Sequence, residues 1–61
     1  MRVSELTKML MKNNCELVGH GTRHDKWYSH ITGNYFRVPR HKGQEVPKGT
    51  LDSILKDAGL K

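Results

Sequence analysis

The apolar positions of this chain change period twice, and the changes divide it into five elements. Over Met1 to Asn14, Val3, Leu6, Leu10 and Asn13 fall on one stripe with Met9 beside it, the spacing of an amphipathic helix. Ser4 is the expected N-cap, and Glu5 stands in the first turn, where a negative charge favours the helix dipole. Asn13-Asn14 is the expected stop, because Asn tolerates the left-handed conformation of many helix exits. From Cys15 the period falls to two. Cys15 and Leu17 alternate with Glu16 and Val18 in a first strand reaching His20, and Gly19 and Gly21 mark a bend at its end. A second strand is expected over Asp25 to His30, with Trp27 inward and Lys26 and Tyr28 on the other face. Ile31-Thr32-Gly33-Asn34 reads as a reverse turn whose Gly-Asn pair supplies positive φ. The third strand, Tyr35 to Val38, alternates Phe36 and Val38 against Tyr35 and Arg37, and Pro39 ends it. Arg40 to Val46 is a basic, polar loop. The helical period then returns: Leu51, Ile54, Leu55 and Ala58 follow a proline-opened start at Pro47, with Gly59 as C-cap and Lys56 in the last turn.

The predicted order is helix, three strands, helix. That is an α+β two-layer domain: a three-stranded antiparallel sheet covered on one face by two helices, its other face open. Residues 1–61 form one domain in this reading, with a core of about a dozen side chains around Leu6, Leu10, Trp27, Phe36, Leu51 and Leu55. A core of this size rarely supplies more than about 3–5 kcal/mol, so economical packing or a partner must complete the stability.

Composition narrows the function. One cysteine, Cys15, excludes an internal disulfide and a multi-cysteine zinc site, and it fits a reducing compartment. The longest early apolar run, Met9-Leu10-Met11, is too short for a signal peptide, and no segment approaches a membrane span. The expectation is an intracellular, cytoplasmic protein with no membrane association. Eleven Lys and Arg against six Asp and Glu leave a net charge of +5. In so small a domain that field suits nucleic acid, an anionic membrane surface or an acidic protein.

Candidate chemistry concentrates in Gly21-Thr22-Arg23-His24-Asp25-Lys26-Trp27-Tyr28. His20 and His24 are four apart but flank a turn rather than share a helix face, and no carboxylate or cysteine stands at a familiar ligand spacing. No metal site and no cofactor is expected. No glycine-flanked serine and no glycine-rich phosphate loop is present. Histidine acid–base chemistry on an anionic substrate remains, and RNA suits it. An RNA strand carries its own nucleophile in the 2′-hydroxyl, and histidine, ordinarily titrating near 6.5, can move a proton at neutral pH. A positioned acid or base contributes about 10²–10⁴-fold, and cations around the phosphate stabilise the added charge. His24 is the candidate catalytic residue. Arg23, Lys26, Tyr28, Arg37, Arg40, His41 and Lys42 are the candidate RNA-binding residues. Tyr28 and Tyr35 can stack on bases or pack across strands. Trp27 reads as core.

The same stretches resemble the HicA toxins, the ribonuclease partners of HicA–HicB toxin–antitoxin pairs. The resemblance runs from Ser4-Glu5-Leu6 to Ala58-Gly59-Leu60. It is carried by Gly21-Thr22-Arg23-His24 leading into Asp25-Lys26-Trp27-Tyr28, by Val38-Pro39-Arg40-His41, and by Gly49-Thr50-Leu51 with Ile54-Leu55-Lys56-Asp57-Ala58-Gly59. It implies a fold like the double-stranded-RNA-binding domain and metal-independent cleavage of mRNA in a bacterial cytoplasm. It also implies a single catalytic histidine, matching His24, and a HicB-like antitoxin covering the active surface. Many members place glycine–serine directly before the histidine, whereas here Arg23 intervenes after Thr22. The family pattern names no second proton-transfer group, for which Lys26, Tyr28 and His41 are the candidates. The alternative function is a non-catalytic RNA-binding module using the same basic face.

Overall fold

In the computed structural model, which describes residues 1–61, the elements follow the expected order: α1 (Val3–Lys12), β1 (Cys15–His20), β2 (His24–Ser29), β3 (Tyr35–Pro39) and α2 (Lys48–Ala58). Helix α1 is shorter than its apolar stripe. Its N-cap is Arg2 rather than Ser4, and Glu5 Oε1 reaches back to accept the Arg2 N–H at 3.0 Å. The free N–H groups of the first turn find partners elsewhere in the chain. Val3 donates to the Gln44 carbonyl at 2.9 Å and Ser4 to the Lys42 carbonyl at 3.0 Å. A backbone acceptor brought in from a distant loop thus replaces the side-chain cap that Ser4 offered. Asn14, at φ 61°, makes the left-handed exit. Pro47 is the N-cap of α2 rather than its first helical residue. Gly59 closes that helix at φ 81°, with the Leu60 N–H donating to the Leu55 carbonyl at 2.8 Å.

The sheet is antiparallel in the order β1-β2-β3. Strand β2 starts one residue earlier than expected, because His24 pairs with Pro39 at the far end of β3. A bulge between Leu17 and Gly19 breaks the alternation of β1 and leaves Val18 without a partner on β2; Leu17 and Val18 are both exposed. In the reverse turn only Gly33 takes positive φ, at 76°.

Both helices lie on one sheet face, and Val3, Leu6, Leu10, Ile54 and Ala58 meet Cys15, Trp27, Phe36 and Val38 there. Leu51 and Leu55 are only partly buried at its margin, where Ile54 and Ala58 take the inward positions. Val46 is also buried. The basic loop therefore docks rather than floats, its Val46 N–H donating to the Met1 carbonyl at 2.9 Å.

Ser29 is fully buried and ties three elements together. Its Oγ donates to the Ala58 carbonyl at 2.7 Å and accepts the N–H groups of Ile31 and Thr32 at 3.2 and 3.3 Å. Thr32 Oγ1 adds a bond to the Asp57 carbonyl at 2.7 Å, so the β2–β3 turn is fastened to the end of α2. No helix is long and apolar enough to cross a membrane.

Candidate active site

The connection from β1 to β2 is a tight turn with His24 at its exit. Gly21 donates its N–H to the His24 carbonyl at 2.8 Å. A Cβ at position 21 would lie 2.5 Å from that carbonyl oxygen, so any side chain there would displace the His24 backbone. The Gly21 carbonyl accepts from Arg40 Nη1 at 2.8 Å, and Arg40 Nε lies 3.3 Å from Asp25 Oδ1. The same carboxylate oxygen is 2.9 Å from His20 Nδ1. Asp25 is thus a half-buried anion that holds Arg40 against the turn, and Arg40 joins the end of β3 to the residues before His24.

Alternation along β2 and its direct pairing with β3 place His24, Lys26 and Tyr28 opposite Pro39, Arg37 and Tyr35, on the face away from the core. A groove of about 710 Å³ runs along this end of the sheet, and Arg23, His24, Lys26, Tyr35 and Arg37 contribute to its lining. A second groove, about 610 Å³, meets the first at His24 and Arg37 and is walled by Gly49, Thr50, Ser53 and Asp57 of α2. The histidine therefore stands where two grooves join.

The four histidines differ in what holds them. His20 is paired with Asp25, and His30 Nε2 lies 3.0 Å from Glu16 Oε1. His41 lines neither groove. His24 is exposed, lines both, and has no carboxylate on its ring. Around it, Arg23, Lys26 and Arg37 carry charge into the first groove with no ion-pair partner. Lys26 and Arg37 sit directly opposite one another, an arrangement that like charges disfavour unless an anion lies between them or above them. Lys26 Nζ is 4.5 Å from the centroid of the Tyr35 ring, which partly offsets this cost. No three histidine, cysteine or carboxylate side chains come together in a geometry that could hold a metal ion.

Of the residues singled out in the sequence, the structure brings Arg23, His24, Lys26 and Arg37 together in one groove. Tyr28 borders it, half-buried, with its ring centroid 4.8 Å from that of Tyr35. Arg40 is committed to Asp25 and the Gly21 carbonyl. His41 and Lys42 lie outside both grooves, and their carbonyls serve the backbone, accepting from Gln44 and Ser4. Sequence reasoning missed Asp25 and the α2 wall. The wall had a signal, since Gly49, Thr50, Ser53 and Asp57 recur as a polar stripe at helical spacing. Asp25 had a weaker one: a carboxylate beside the histidine, on the alternate face of the strand.

Comparison with known families adds one finding. The family model described as HicA toxin of bacterial toxin–antitoxin matches residues 3–60. Comparisons with curated proteins and with solved structures gave no significant match.

Proposed function

The chain belongs to the HicA toxin family of bacterial toxin–antitoxin systems, and from that premise we propose that it is a ribonuclease that cleaves mRNA with His24. The observation that supports this most directly is the setting of His24, an unpaired imidazole at the junction of two grooves and beside three unpaired cations. That is what the reaction requires. His24 takes the proton from a 2′-hydroxyl, the oxygen attacks the adjacent phosphorus, and the bond to the 5′-oxygen breaks. The products are a 2′,3′-cyclic phosphate and a 5′-hydroxyl, once the leaving oxygen has received a proton. Arg23, Lys26 and Arg37 stabilise the charge that builds on the phosphoryl oxygens. Of Lys26, Tyr28 and His41 as the second proton-transfer group, only Lys26 lines the groove. The chemistry as written uses the substrate's own nucleophile and calls for no metal ion. A HicB-like antitoxin would neutralise the toxin by covering this face in the bacterial cytoplasm.

Purified His24→Ala is expected to lose at least about 10²-fold in RNA cleavage. Its circular dichroism should be unchanged, because the side chain is exposed. Cleavage by the variant at the parent rate, in protein free of contaminating nuclease, would sink the assignment. RNA binding by the wild type without new RNA ends over time would mark a binding module instead.

A further inference from the structure

We propose that the open face of the sheet carries a nucleobase subsite centred on Tyr35, and that it selects single-stranded RNA. The proposal rests on the ribonuclease reading for the class of ligand and goes beyond it in naming the form of the substrate.

The subsite is built from an aromatic cluster on the open face of the sheet. Tyr35 is 60% exposed on an otherwise well-formed strand, its ring presented to solvent on the side away from the helices. It does not stand alone. Tyr28, its direct cross-strand partner, lies 4.8 Å away centroid to centroid at 52°, and the His30 ring packs on Tyr28 edge-on at 4.8 Å. Tyr28 touches both of the other rings and holds Tyr35 from one side, which lowers the entropy lost when a further ring is added. Lys26 sits over Tyr35 and also lines the His24 groove, so the platform and the site of chemistry share a cation. Tyr35 itself lines that groove.

An aromatic ring beside cations on an open sheet face is the combination that binds single-stranded nucleic acid, with bases stacking and the backbone held by charge. A duplex cannot use it. Its bases are already stacked on one another and paired, and a flat sheet face reaches only the backbone and the groove edges. Tyr35 pairs with Tyr28, four residues along β2 from His24, which is about 13 Å along the backbone at roughly 3.3 Å per residue. The platform therefore lies along the sheet from the site of chemistry, within reach of the same bound strand.

The test measures binding on the His24→Ala protein, so that no turnover is involved. The probes are a short single-stranded oligoribonucleotide, the same strand annealed to its complement, and a strand of equal length with abasic sites. Tyr35→Phe should keep the affinity of the parent for the single strand, whereas Tyr35→Ala should lose about 5- to 100-fold. The duplex and the abasic strand should bind the parent more weakly than the intact single strand, and Tyr35→Ala should narrow that gap. Equal affinity of parent and Tyr35→Ala for the intact strand would overturn the proposal, as would a duplex bound as tightly as the single strand. If Tyr35→Ala keeps its RNA affinity but loses antitoxin binding, the face serves a protein and the proposal falls. A wild type that cuts no RNA would remove the nuclease reading and leave these binding measurements to decide the subsite.

Discussion

Arg40 shows how a side chain that looks like a phosphate ligand can be absorbed by the fold. Its guanidinium spans two acceptors, the Gly21 carbonyl and Asp25, on either side of the turn that delivers His24. It uses two separate nitrogens, Nη1 and Nε, a fork that the single nitrogen of a lysine does not reproduce. If His24 acts as proposed, Arg40→Ala is expected to lower kcat by up to about 10²-fold with KM little changed, since displacement of the histidine costs rate more than binding. Arg40→Lys should fail to restore the rate, whereas a residue acting only through its charge would be replaceable. Lys42→Ala, whose side chain lines neither groove, should leave both constants near the parent values. Steady-state kinetics on the three variants decide this. His24 was legible in the sequence because it stands in a polar turn among cations. Asp25 was not, because its partner arrives from the end of another strand, and only the hairpin register brings them together.

At the level of elements, periodicity revealed both helices and all three strands, while their ends depended on contacts that no local pattern encodes. The start of α1 is satisfied by carbonyls of the 41–46 loop, which is why a good capping serine goes unused. The far end of α2 depends on Ser29, a small polar residue in a strand with nothing in its neighbours to announce that it is buried. Ser29→Ala leaves the Ala58 carbonyl and two turn N–H groups without their partner. The expected cost is about 1–3 kcal/mol, as for other buried polar groups left unpaired. In a domain of this size that lowers the melting temperature by at least about 4 °C, measurable by thermal or denaturant unfolding.

For the molecule as a whole, the excess of positive charge is spread unevenly, and one anion outside the site has a defined task. Glu45 accepts from the amino terminus at 2.7 Å. That hydrogen bond and the charge of the amine hold its carboxyl below its ordinary 4.5, with Arg2 adding a smaller pull the same way. A carboxylate with a lowered folded-state pKa stabilises the fold above its unfolded value, and the contribution disappears as pH falls through the lowered one. Glu45→Gln should therefore lose a little stability at neutrality, where the ion pair is formed, and approach the parent as pH falls well below 4.5, so that its stability curve is flatter on the acid side. Circular dichroism along an acid titration tests this. The effect should be small and weaken further with salt, because the carboxylate is exposed. The basic character of the chain was legible from its composition. The tie between its first residue and Glu45 was not, because it joins the start of the chain to the loop before the last helix.

The bulge in β1 has a consequence for the behaviour of the protein at high concentration. Strand β1 forms one edge of the sheet, and an edge is a template on which a second molecule can lay a strand of its own. Leu17 and Val18 would make this one adhesive, since both are exposed. The bulge interrupts the ladder between Leu17 and Gly19, and Glu16 sets a charge just before it. An incoming strand would find its register broken midway and a carboxylate at the break's margin. The kink thus guards against fibre growth while leaving the apolar pair uncovered.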